Sequence, residues 1–273
     1  MLKCLRRCHL AVVFASLMIA AFPSVTLANH SWNGYHWARS QNPINLTLGD
    51  NVSSAWDSYL TTASNDWTVS SVLNTTVVPG QAKGRNCRPD TGRIEVCNAA
   101  YGNNGWLGIA QIWVNGLHIT KGSTRMNDTY MAVPPYNTAP WHRLVMCQEV
   151  GHTFGLDHQD EDFDNGNLGT CMDYTDDPDG PPSNEHPNQH DYDELEAIYA
   201  HLDGPTGRLT SPEPPAMNDI ELSGPGQWGK LVKRSHDGQA GIYEADFGGG
   251  HKIFTFVIWA NGQGDTRANG EKD

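Results

Sequence analysis

Twelve residues, Cys147-Gln148-Glu149-Val150-Gly151-His152-Thr153-Phe154-Gly155-Leu156-Asp157-His158, constrain the fold more than any other part of the chain. Read as a helix, the run sets Gln148 and His152 one turn apart on one face, with Glu149 beside them. A glycine such as Gly155 readily takes the left-handed conformation that ends a helix, and that turn swings His158 back toward the same point. Two imidazoles, a carboxylate and an amide then converge, which is the donor set of a catalytic zinc site.

Together with a second motif, Thr170-Cys171-Met172-Asp173-Tyr174, this run resembles the metzincin metallopeptidases, which share H-E-x-x-H-x-x-G-x-x-H followed by a methionine-containing tight turn. The resemblance implies an α+β fold, with a twisted mixed sheet, an active-site helix and a later C-terminal helix. It also implies zinc bound by His152 and His158, Glu149 as general base, and Met172 as the floor of the site. Tyr174 matches the tyrosine that some metzincins place near the metal to stabilise the tetrahedral intermediate, or else is an ordinary packed tyrosine. The chain departs from the pattern at Gln148, which stands where the first ligand histidine belongs. A neutral amide oxygen is a weaker donor than imidazole, so zinc affinity should fall.

Three readings follow from that departure. Gln148 is the third zinc ligand; or a neighbouring side chain such as Asp157 or a loop histidine completes the shell; or the chain is a pseudo-protease that binds peptides without cutting them. Glu149 favours the enzyme, a zinc metalloendopeptidase acting on peptide or protein substrates, because a pure binder has no use for a general base.

The cysteines and the first residues point to export. Lys3, Arg6 and Arg7, the apolar run Leu10–Phe22 and the small residues near Ala28 read as a signal peptide over residues 1–28, too short in its apolar part to span a bilayer. Its removal leaves Cys87, Cys97, Cys147 and Cys171, which allow three connectivities. The favoured pairs are Cys87–Cys97 and Cys147–Cys171, the second tying the active helix to the methionine turn that the resemblance implies. The formal charge is −13, and no Lys or Arg lies between Arg143 and Arg208. That argues against nucleic acid or an anionic membrane as partner and fits a secreted monomer.

The remaining chain reads as strands Ile44–Leu48 and Thr75–Val78 around a helix over Asn51–Leu73, capped by Asn51 or Ser53. Further strands follow over Arg93–Ala100, Leu107–Val114 and from His118. By the resemblance, Gly105–Val114 is the edge strand that lines the substrate groove. The active helix should start near Ala139 or Pro140 and a later one near His190. Asp160–Gly166 has the acidic spacing of an imperfect EF-hand loop, a second and looser site for Ca2+. The domain reading is a metzincin-like catalytic domain over 29–203. A linker and a small β-rich extension then fill 204–273, with strands at Lys230–Lys233, Gly241–Phe247 and Lys252–Ala260.

Overall fold

The computed structural model describes residues 30–82, 85–204, 212–220, 222, 224–236, 238 and 240–264. The proposed signal peptide and most of the linker lie outside them. The described chain is a mixed α+β structure built on a nine-stranded sheet.

Four strands form the parallel half: β2 (Ile44–Asn51), β3 (Leu73–Pro79), β4 (Ile94–Ala99) and β6 (His118–Asn127), ordered β3-β2-β4-β6. Beyond β6 the sheet turns antiparallel through β5 (Trp106–Asn115), β9 (His251–Trp259), β8 (Ala240–Asp246) and β7 (Lys230–Arg234). A short strand, β1 (His36–Trp37), lies parallel to the start of β6, pairing His36 with His118. That segment carries no apolar period, and its register comes from long-range bonds. The Trp37 indole donates to the Thr153 carbonyl at 2.8 Å and the Trp37 amide to the Tyr199 hydroxyl at 3.2 Å.

The central strands are buried on both faces, and the two-residue period sorts their side chains between two cores. On one face Ala110, Ile112, Phe254, Phe256 and Ile258 join the core beneath α3 (Ala139–His152), and α1 (Asp57–Trp67) packs against α3 and β3. On the other, Trp106, Ile109, Trp113, Val257 and Trp259 meet Trp228 and Met217. The C-terminal extension therefore continues the main sheet and shares its core.

Helix α1 begins at Asp57, later than the sequence suggests, and neither Asn51 nor Ser53 caps it. Asn51 is the last residue of β2, and its side chain is committed elsewhere, donating to Glu95 at 2.6 Å and accepting from the Ala82 amide at 3.1 Å. Two further helices, α2 (Asp128–Met131) and α4 (Gln189–Ile198), complete the layer. Asn188 and Asp191 cap α4 reciprocally. No described helix is long and apolar enough to cross a membrane.

Candidate metal centre

Helix α3 carries the constellation. It starts at Ala139 with a proline in its first turn, as expected, and every residue from Leu144 to His152 is buried. The left-handed turn falls at Gly155 (φ 97°), where a Cβ would stand 2.0 Å from the Tyr35 carbonyl oxygen, so only glycine fits. Gly151 permits a second close approach: a Cβ there would meet the Met172 sulfur at 2.7 Å. Met172 thus lies directly beneath the helix. Both expected disulfides are present, and Cys147–Cys171 ties α3 to the turn carrying Met172.

The turn brings His152 and His158 together, with their Nε2 atoms 2.9 Å apart. Each ring is oriented through its other nitrogen. His152 Nδ1 lies 2.9 Å from the Leu156 carbonyl, and His158 Nδ1 3.3 Å from a Glu161 carboxylate oxygen. A proton on each Nδ1 leaves both Nε2 lone pairs facing one point, the tautomer that ligating histidines take. Burial, with His158 beside it, holds the His152 imidazole well below its usual value and therefore neutral.

Glu149 is equally enclosed. Both of its carboxylate oxygens are buried without a hydrogen-bond partner, and burial pushes its carboxyl well above the usual range. Room for it exists because β5 has a glycine opposite: a Cβ on Gly108 would approach Glu149 Oε1 to 2.5 Å. Gln148 is not hydrogen-bonded to either imidazole. Its amide nitrogen donates to the Cys171 carbonyl at 2.9 Å, and its Oε1 is buried without a partner. The donor chemistry fits a divalent transition metal, with two imidazole nitrogens sharing one point and orphaned oxygens on Gln148 and Glu149.

Asp157 does not complete such a shell. It accepts from the His158 amide at 2.8 Å and, through its other oxygen, from Lys233 at 2.6 Å. Lys233 also reaches Glu161 at 3.0 Å, so the cation among Asp157, His158 and Glu161 is an ammonium from β7. Burial raises the Glu161 carboxyl, but His158 and Lys233 outweigh it and bring it down to about 2.

A larger correction concerns the groove. Strand β5 is not an edge, because β9 pairs with it antiparallel from Trp106 to Asn115. The Phe256 ring on β9 stacks on His152, with centroids 4.4 Å apart and planes 12° from parallel. Tyr174 packs against His158 at 4.4 Å and points its hydroxyl at the Val257 carbonyl, 3.4 Å away. As a result Glu149 and His152 are each only 1% exposed.

Within the acidic loop at Asp160–Gly166, Glu161 pairs outward with His158 and Lys233, while Asp160 and Asp162 bond within the loop. Asp160 accepts from the Asp162 amide and from Asn165, and Asp162 accepts from the Asp164 amide. Gly108, Lys233 and Phe256 were missed by sequence reasoning. A lone glycine in a strand signals a close backbone approach, whereas the other two belong to strands whose partner no local pattern names.

No family model matches the chain, and no curated protein matches it in sequence.

Proposed function

We propose that the chain is a metzincin-like zinc metalloendopeptidase, exported from the cell, that cuts peptide or protein substrates. One observation carries this reading: two imidazoles, each oriented through Nδ1, present their Nε2 atoms 2.9 Å apart beside a buried carboxylate with two unpartnered oxygens. His152 and His158 would hold the zinc, with Gln148 Oε1 the nearest choice for a third donor. The metal would supply Lewis acidity, lowering the pKa of a bound water to about 7. Glu149 would accept the proton of that water and hand it to the departing amine, a role suited to a carboxyl whose environment raises its basicity. Tyr174, whose ring packs against His158, would donate to a developing oxyanion once its hydroxyl leaves the Val257 carbonyl. Two disulfides fit an oxidising compartment.

The decisive experiment measures metal content and turnover of an unfolded protein substrate, with and without chelator. Wild type should turn over and chelator should stop it, and Glu149→Gln should lose turnover at unchanged zinc content. Turnover that persists in Glu149→Gln would overturn the proposal.

A pseudo-protease is the second reading, favoured by the Gln148 amide turned to Cys171 and by Phe256 lying on His152. It expects no turnover from the wild type under any metal condition.

A further inference from the structure

A second cluster of imidazoles lies where β1, the start of β6 and the end of α4 meet. His36 Nε2 is 3.2 Å from His201 Nε2, and the Asp203 Oδ1 atom is 3.5 Å from the first and 3.6 Å from the second. These three donors form a nearly equilateral triangle. Ligand atoms on a tetrahedral zinc, bound at 2.0–2.1 Å, stand about 3.3 Å from one another. The point equidistant from the three atoms is about 2.0 Å from each, a coordination distance for imidazole nitrogen and carboxylate oxygen alike.

The surroundings hold the donors in that arrangement. His36 Nδ1 lies 2.8 Å from the Gly34 carbonyl, which fixes the proton there and leaves Nε2 as a lone pair. Asp203 Oδ2 accepts from the Arg39 amide at 2.8 Å, so the carboxylate presents Oδ1 to the cluster. His118 Nε2 stands 3.0 Å from the same Oδ1 and helps to hold it. The Arg39 guanidinium, itself buried, grips the His201 carbonyl through two nitrogens at 3.1 and 2.8 Å. The His36 Nε2 lone pair therefore faces His201 Nε2 at 3.2 Å, a contact bridged either by a proton on His201 or by a metal ion.

A nearby group shows what a structural cluster looks like by contrast. His30 and His190 stack face to face with centroids 4.9 Å apart, and Asp191 is committed to Thr170 and to the Asn188 amide as part of the α4 cap. Asp191 has a third partner there, His30 Nε2 at 3.1 Å, so its carboxylate is already filled by protein groups.

We infer that His36, His201 and Asp203 form a second metal site, for zinc or another divalent ion of similar softness, with the fourth position open to solvent. The two imidazole donors favour such ions over calcium and magnesium. His201 is 57% exposed at its side chain, so the ion has an entry path. Bound there, it would clamp the segment before β2 to the segment after α4, joining parts of the chain more than 160 residues apart. None of its ligands belongs to the His152–His158 pair, so the two sites are separable by mutation.

Zinc content of the untagged, dialysed full chain tests the inference. His201→Ala is the variant of choice, because an exposed side chain can be removed without opening the core. It should lose one zinc ion relative to wild type, from about two to about one per chain if both sites fill. His152→Ala should keep the His36–His201–Asp203 ion, whatever the fate of the peptidase proposal. Zinc should raise the melting temperature of metal-stripped wild type by more than that of metal-stripped His201→Ala. A His201→Ala protein that binds as much zinc as wild type and gains the same zinc-dependent rise in melting temperature would overturn the second site.

Discussion

On the proposed reading, Gln148 occupies the position that would decide how tightly the His152–His158 pair holds a metal. Its amide nitrogen is bonded to the Cys171 carbonyl, while its oxygen lacks a partner in a fully buried setting. A histidine there can keep the Cys171 bond through one ring nitrogen and offer the other as a donor. Gln148→His should therefore tighten zinc binding by about 10-fold or more, read by competition with a chromogenic chelator. Unchanged affinity would mean that position 148 does not face the metal. Glu95 poses a different problem at the same scale. This carboxylate is wholly buried in β4 and accepts from Asn51, the Gln81 amide and Arg93 at 2.6, 3.0 and 2.7 Å. Gly49 makes room for it, since a Cβ there would stand 2.2 Å from Glu95 Oε2. Burial raises its carboxyl, but the three donors outweigh burial and leave it below its ordinary value of 4.5. A depressed carboxylate stabilises the fold above its unfolded value, and that contribution is lost as pH falls through the folded one. Denaturant unfolding should thus show stability falling as pH drops below 4.5. Glu95→Ala should cost about 3–5 kcal/mol at neutral pH and flatten that fall.

At the level of elements, α3 and the turn bearing Met172 act as one unit. The Cys147–Cys171 disulfide closes a span of 24 residues between them. Removing it with the pair Cys147→Ser and Cys171→Ser should cost about 3 kcal/mol, measured by denaturant unfolding. Metal affinity should fall as well, because Gln148 is anchored to the Cys171 carbonyl. A double variant as stable as wild type would remove the staple from the account. This unit was legible in the sequence because its signals are local. Glycine at 155, the four-residue spacing of 148 and 152, and proline at 140 each act within a turn or two of the helix. The strands were legible too, to within a few residues, since a two-residue period survives in any sheet order. What the period does not encode is the neighbour. Nothing local in Lys252–Ala260 says that it pairs with β5, nor that His36, His118, His201 and Asp203 meet. Those meetings depend on chain closure across about eighty residues or more.

For the whole molecule, the C-terminal extension covers the face of the proposed site. Strand β9 supplies the hydrogen bonds that an extended peptide would make to β5, and Phe256 covers His152. Lys233 on β7 binds Asp157 and Glu161 beside His158. On the proposed peptidase reading, a peptide could lie along β5 only if β9 leaves it, and the described conformation would be the closed one. Pinning the two strands together tests this without disturbing the site. Val114 and Lys252 are directly opposite in the pairing, at the end of β5 remote from Trp106 and Gly108. In Val114→Cys/Lys252→Cys, an oxidised cross-link should abolish peptide turnover, and reduction of that bond should restore it to the level of a Val114→Ser/Lys252→Ser control treated alike. The reductant must be mild enough to spare Cys87–Cys97 and Cys147–Cys171, which are both buried; mass mapping of the alkylated protein verifies that. Equal turnover in the oxidised and reduced forms would show that substrate reaches Glu149 with β9 in place. Turnover absent from both forms and from wild type would instead favour the pseudo-protease, with β9 as the permanent occupant of its own groove.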